Sequence, residues 1–212
     1  MTSGHNNISM RNEIKAVTTE LLIRNGYQGF RFKNVAENLG TTRANIHYYF
    51  GNKAKLCEEV IIDYVTETMK KWTENWKSQK RFSEKVVGMM ESNRQRYLQY
   101  NPTGKTAHPW SLIGRMRMER DVISPAAQAA LTEFGVNLHK LIISGVEMAV
   151  KNKEYHKSIP KEDVVLQLVA IANSAGPITQ DGGSFDRLEQ LYLSFAHIIE
   201  DAYGLKKDSI RG

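Results

Sequence analysis

Residues 33 to 49 read Lys-Asn-Val-Ala-Glu-Asn-Leu-Gly-Thr-Thr-Arg-Ala-Asn-Ile-His-Tyr-Tyr, a pattern of two short helices separated by Gly40-Thr41-Thr42. On the first helix Val35, Ala36 and Leu39 share one face, and on the second Ile46 and Phe50 do. These side chains can close a miniature core with Leu21, Leu22, Tyr27 and Phe30. Ala36 is small where two helices must approach closely. Gly40 permits the sharp reversal between them, and Thr42 can cap the amide groups that open the second helix. With the apolar face turned inward, Arg43, Ala44, Asn45, His47 and Tyr48 point outward. A short helix with a basic, amide and aromatic outer face, presented N-terminus first, suits the major groove of a duplex.

Outward from this segment the chain keeps a 3.6-residue apolar period, and period-2 alternation is nearly absent, so the expected fold is all-α with about nine helices. Ile14, Val17, Leu21 and Leu22 stripe a first helix over residues 9 to 25, which Gly26 stops. A long helix follows Asn52 and carries Leu56, Val60, Tyr64, Thr68 and Trp72 four apart. The spacing predicts further helices over residues 82 to 100 and, from the Ser124-Pro125 start signal, to residue 152. One or two short helices are expected between residues 105 and 124. Residues 158 to 176 form a helix apolar on two faces, residues 176 to 184 read as a loop, and a last helix carries a nearly ideal stripe from Leu188 to Ala202.

Charged residues make up 25% and hydrophobic residues 41% of the 212, which fits a globular chain and not a disordered one. No apolar run approaches the roughly 20 residues of a membrane helix, and the polar start lacks a signal-peptide core, so no membrane partner is expected and the cytoplasm is the expected compartment. The single cysteine, Cys57, reads as a small core residue. The formal net charge is +6, and residues 1 to 56 hold eight cations (Arg11, Lys15, Arg24, Arg31, Lys33, Arg43, Lys53, Lys55) against Glu13, Glu20 and Glu37. The remainder is close to neutral, an asymmetry expected of a module that faces a polyanion.

The stretch from Gly26 to Leu56, with its glycine-aromatic start, Val35-Ala36 pair, Gly40, Thr42 cap, Tyr48-Tyr49 pair and Lys53, resembles the DNA-binding domain of TetR-family regulators. The resemblance implies an N-terminal three-helix DNA-binding domain with a helix-turn-helix over residues 1–56, and a C-terminal helical effector-binding and dimerisation domain over residues 57–212. The function it implies is a ligand-responsive repressor that binds a pseudo-palindromic double-stranded operator as a homodimer, with no cofactor. By side-chain chemistry and by position in that motif, Arg43 is the first choice for reading a guanine edge, Asn45 and His47 for other base edges, and Ala44 for a thymine methyl. Lys33 reaches a base or a phosphate. Thr42, Tyr48, Tyr49 and Lys53 are expected on phosphates, fixing register. Two positions depart from the family pattern: Arg31-Phe32 stands where a capping Thr is common, and His47 where a Tyr is.

The resemblance also implies an effector pocket among the middle helices and a dimer interface from the last two. Candidates for the pocket are Trp72, Trp76, Met89, Asn93, Tyr97 and Trp110, with Ile113, Met116, Phe134, Leu138 and His139. They are bulky, soft or singly polar, which suits a small apolar or aromatic effector. For pairing, Val164, Leu168, Ile171 and Ala175 of the two-faced helix are expected to meet Leu188, Leu191, Tyr192, Phe195 and Ile199 of the last helix across a two-fold axis. No phosphate loop, metalloprotease motif or nucleophile elbow is present, so no enzyme and no metal site is expected. His197 with Asp201 reads as a surface contact, and Glu119 beside Arg117 and Arg120 as part of solvated ion pairs. The rival reading is a helical protein-interaction module that never touches DNA.

Overall fold

The structure is a computed structural model that describes residues 3–205, with side chains from Ile8 onward. Ten α-helices follow one another: α1 (Ser3–Gly29), α2 (Phe32–Asn38), α3 (Arg43–Phe50), α4 (Lys53–Lys77), α5 (Phe82–Tyr100), α6 (Leu112–Met118), α7 (Pro125–Lys151), α8 (Lys161–Asn173), α9 (Ala175–Gly182) and α10 (Asp186–Tyr203). A 3-10 turn, Arg120–Val122, stands between α6 and α7. Among the described residues the one β feature is an isolated antiparallel bridge between Tyr155 and Gly204. The tenth helix is the difference from expectation. Residues 176 to 184, expected as a loop, fall largely inside α9, because Pro177 lies in its first turn, where a missing N–H costs nothing. Buried Thr179 returns its hydroxyl to the carbonyls of Ala175 and Gly176, and Gly183 ends the helix in the left-handed conformation.

Compactness divides the chain into residues 1–68 with 109–134, and residues 69–108 with 135–212. This division differs from the single boundary expected after residue 56: the segment around α6 joins the N-terminal unit, and α4 and α7 each begin in the first unit and end in the second.

The first unit holds the helix-turn-helix. Its core is Ile14, Leu22, Ile23, Phe30, Val35, Ile46 and Leu56, all fully buried, with Ala36 and Phe50 almost so. The inward face of α1 runs through Ile14, Thr18 and Leu22, leaving Val17 and Leu21 half-buried. Gly26 breaks α1 with φ 71° and ψ 177°. It is required there twice over, by that backbone and because a Cβ would collide with the Glu119 carboxylate and the Arg115 guanidinium. Glu119 is not a solvated ion-pair member. Its side chain is 17% exposed, bonds Arg115 at 2.9 Å and accepts the backbone N–H of Gln28 at 3.1 Å, fastening α6 to the end of α1.

The second unit packs Trp76, Val86, Met89, Leu138, Ile142, Val146, Val165, Leu168, Leu188 and Tyr192 into one apolar core. Trp76, Phe82 and Tyr155 stack edge to face in series at 5.6 Å spacings. Gly145 lies against the Trp76 ring, and a Cβ there would stand 2.6 Å from Cε3. Gly145→Ala therefore overpacks a buried indole, and a urea titration should show a loss of about 1–3 kcal/mol. An unchanged midpoint would show that the ring shifts freely.

Candidate nucleic-acid interface

An eight-residue helix does not hold together alone in water, so the set of α3 comes from what it buries. Ile46 is 0% and Phe50 4% exposed, which turns the other side of α3 to solvent. Thr42 is the N-cap, its Oγ1 accepting the N–H of Asn45 at 3.1 Å. The reversal before it runs through Gly40 at φ 60° and is closed by the Thr41 N–H to the Ala36 carbonyl at 2.9 Å. A Cβ at Gly40 would meet nothing within 4 Å, so the residue is set by backbone conformation and not by space.

Thr42, Arg43, Ala44, His47 and Tyr48 are exposed together, and Asn45 and Tyr49 half-exposed. Tyr48, at 76% exposure, leans edge-on against Tyr49 at 5.3 Å. The Asn45 amide is held by Thr41 Oγ1 at 3.0 Å. Lys33 is exposed and bridges Glu37 at 3.6 Å on its own helix, a solvated pair of little energy that an incoming anion can replace. Lys53 is half-buried: its ammonium sits 4.4 Å over the Tyr27 ring, and burial pulls its pKa below the usual lysine value.

The two departures from the family pattern turn out to be one. Phe32, the first residue of α2, is 8% exposed and meets the His47 ring at 4.7 Å in a T-shaped contact, with Phe30 behind it at 6.4 Å. Arg31, the N-cap of α2, makes no capping bond through its side chain. The helix start is thus anchored by an aromatic contact across the turn in place of a hydroxyl cap. Nδ1 of His47 lies 2.7 Å from the Gly51 carbonyl. A carbonyl only accepts, so Nδ1 carries the hydrogen, and in the neutral ring Nε2 is left as an acceptor.

Electrostatics redraw the charge argument. Arg11 pairs with Glu59, donates to the Tyr49 carbonyl at 2.8 Å and covers the Phe50 ring at 4.3 Å. Lys15 reaches Asp63 at 2.8 Å and Glu59 at 3.1 Å. Burial raises the Glu59 pKa, but the bonds from Lys15 and Arg11 outweigh it and hold the carboxyl below its ordinary value. Lys55 pairs with Glu58 at 2.9 Å. Glu58, Glu59, Asp63 and Glu67 all follow residue 56 with no cation among residues 57–68, so by residue 68 the eight cations face seven carboxylates, and Arg11 and Lys15 spend their charge stapling α1 to α4. Arg43, by contrast, stands exposed at the first position of the reading helix.

The other expected sites are distributed differently. Among the pairing residues, Val164, Leu168, Ala175, Leu188, Tyr192, Phe195 and Ile199 are buried within the subunit, Ile171 is half-buried and only Leu191 is exposed, at 37%. The richer apolar stripe went into the subunit's own core, and the free apolar side chains are Leu166 at 65%, Leu191 and Ile198 at 64%. Of the pocket candidates, Trp72, Trp76, Met89, Asn93, Tyr97 and Leu138 are buried in the second unit, where Asn93 Nδ2 donates to the Tyr192 hydroxyl at 3.0 Å. Trp110, Ile113, Met116 and Phe134 are buried in the first unit. His139 is half-buried and bonded to Glu162 at 3.0 Å.

Sequence reasoning missed Lys85. It is 1% exposed on the inner face of α5, and its place four residues before Met89, in the series Met89, Asn93, Tyr97, was the available signal. An open groove of about 670 Å³ lies outside, between α5 and α10, with Val87, Leu193 and His197 among its lining, and it contains none of the expected pocket residues. His197 and Asp201 are exposed, and no group of three or more metal-binding side chains occurs among the described residues. No described helix is long and apolar enough to cross a membrane.

Residues 14–60 match the family of bacterial regulatory proteins, tetR family. Solved structures of similar fold include the reduced form of NemR from E. coli, 15% identical over 90% of this chain and 97% of that one, with a TM-score of 0.75. A TetR transcriptional regulator from Chloroflexus aurantiacus is 16% identical over 95% of this chain and 100% of that one, at 0.78. A putative transcriptional regulator from Saccharomonospora viridis, in complex with choline, is 17% identical over 93% and 99%, at 0.73. These likenesses establish the fold. No curated protein is similar enough in sequence to match.

Thr42→Ala removes the one side-chain cap of α3. The expected cost is about 1 kcal/mol of stability, read as a lower thermal midpoint with helical content unchanged, and a Thr42→Ser variant should recover it. Equal losses in the two variants would show that the hydroxyl is not what holds the turn.

Proposed function

We propose that this chain, whose residues 14–60 match the tetR family of bacterial regulatory proteins and whose fold is that of solved TetR regulators, is a ligand-responsive repressor that grips a pseudo-palindromic operator as a homodimer in the cytoplasm. The observation that carries the reading is the outer face of α3: Arg43, Ala44 and His47 exposed on a helix whose opposite face is buried and whose start is capped by Thr42. In this reading residues 1–56 bind DNA and residues 57–212 pair and sense.

Arg43 grips a guanine edge with two hydrogen bonds, and Ala44 lies against a thymine methyl. His47 accepts through Nε2, which selects the exocyclic amine of cytosine or adenine. Asn45 reads a base edge after exchanging its bond to Thr41. Thr42 donates its hydroxyl hydrogen to a phosphate while its lone pair keeps the cap, with Tyr48, Tyr49 and Lys33 on neighbouring phosphates. Lys53 contributes to the anion field of the α4 start only if it leaves the Tyr27 ring.

Pairing uses the outward stripe of Leu166, Leu191 and Ile198, with half-buried Ile171 and Val169 beside it. A two-fold axis through such a patch makes it self-complementary, and a pseudo-palindromic operator asks for two reading helices roughly 34–36 Å apart, one duplex turn. The choline held by the Saccharomonospora neighbour supports a small-molecule effector for the second unit here.

Arg43→Ala should lower affinity for a selected operator by about 1–3 kcal/mol and flatten discrimination at one base position. Binding should also fall steeply with salt, as phosphate neutralisation requires. Equal losses on operator and random duplex, or binding indifferent to salt, would favour the protein-interaction reading. Light scattering tests the pairing surface: Ile198→Asp should convert a dimer to a monomer of unchanged helical content, and a wild type that is monomeric at operator-binding concentrations would remove the paired reading.

A further inference from the structure

We propose that Lys85 anchors the carboxylate of a small organic acid bound in the second unit, which makes an acid, and not a neutral apolar compound, the class of effector. The proposal deepens the ligand-responsive reading above and rests on it for the consequence to DNA binding.

Lys85 is left with an unmet requirement. Lys85 is 1% exposed, and its residue volume places it among the largest fully buried side chains of the chain. An ammonium carries three hydrogen-bond donors. Among the described residues its one acceptor is the thioether of Met148, with Sδ at 3.3 Å, a weak acceptor and an uncharged one. The nearest anion in its field is Glu154, but one oxygen of that carboxylate is spent on the backbone N–H of Phe82 at 2.8 Å, and no Lys85–Glu154 salt bridge forms. Burial holds the Lys85 pKa below the usual value.

Core positions elsewhere in the unit are treated differently. Asn93 and Tyr192 satisfy each other, and Asn101 spends its amide on Tyr97, Thr106 and His108. One exception close to Lys85 is Trp76, whose buried Nε1 has no acceptor and whose ring contacts Phe82, one turn before Lys85 on α5. Two donors without an oxygen partner, on neighbouring helical segments, describe a place that lacks an acceptor. An uncompensated cation in an apolar interior costs several kcal/mol, and a charge-assisted bond to a carboxylate is the strongest available remedy.

The surrounding side chains suit the rest of such a molecule. Lys85, Met89, Asn93 and Tyr97 recur every four residues along one face of α5, so a cationic end is followed by a soft apolar stretch and then by amide and phenol groups. Met89 and Met148 are unbranched and adapt to the shape of what enters. An acid with an aliphatic or aromatic body matches that order, head at Lys85 and tail along Met89.

The test compares matched probes on the intact protein by calorimetry and tryptophan fluorescence: benzoate, phenylacetate and octanoate against their primary amides. At least one acid should bind at least about tenfold tighter than its amide. Lys85→Met, which fills the same volume without a charge and is expected to melt no lower than the wild type, should bring that ratio to about threefold or less while amide binding persists. The proposal is overturned if acids and amides bind alike, if no acid binds up to about 10 mM, or if Lys85→Met keeps the preference. The comparison on the unaltered chain stands whether or not the variant folds. Operator release is a separate readout: acid binding that depends on Lys85 but leaves operator affinity unchanged upholds the anion site and removes the effector role.

Discussion

The reading face of α3 exists because Ile46 and Phe50 are taken out of water on its other side. Eight residues form too few internal hydrogen bonds to repay nucleation, so the helix is held by tertiary burial, by the Thr42 cap and by the carbonyl of Gly51 tied to His47. Each of these constraints also fixes a functional atom. The cap orients the first turn that presents Arg43, and the His47 bond decides which ring nitrogen faces out. In the proposed reading, precision at a base edge is inherited from the core beneath it.

The same economy explains the pair of unusual residues around the turn. A hydroxyl at the start of α2 would cap one helix; Phe32 instead reaches across to His47, a residue of the other helix. One contact then sets the two helices against each other and the imidazole against solvent. Sequence comparison registers two separate departures. Only the geometry shows that they are a single substitution of packing for capping.

Legibility followed the strength of local signals. Helix starts written by caps and prolines, at Thr42 and Ser124-Pro125, are where they were expected. The α9 segment was hidden because Gly176-Pro177 reads as a breaker when its position within the first turn is unknown. The pairing stripe is hard to read for a different reason. Periodicity reveals two apolar faces on α8 and one stripe on α10 but not which of them the subunit's own core takes; the core holds Leu168, Leu188 and Tyr192, and Leu166 and Ile198 lie outside. Charge counting failed at its boundary, since the partners of Arg11 and Lys15 lie on α4, beyond the residues counted. An ion pair neutralises charge wherever its partner sits in sequence.

Buried polar groups separate structure from function by whether their bonds are complete. Cys57 is buried with its thiol pushed up to about 12, which leaves almost no thiolate at neutral pH and makes it a packing residue, not a redox group. Tyr192, equally buried, has Asn93. Glu119 is nearly covered and has two partners, Arg115 and the Gln28 amide. Lys85 follows the opposite rule: the group with the highest cost of burial has the poorest acceptor. Evolution of a stable core would replace such a lysine by methionine or leucine at little cost in volume and a gain in stability. A lysine at the head of the α5 stripe is understandable when the missing partner arrives from outside the chain.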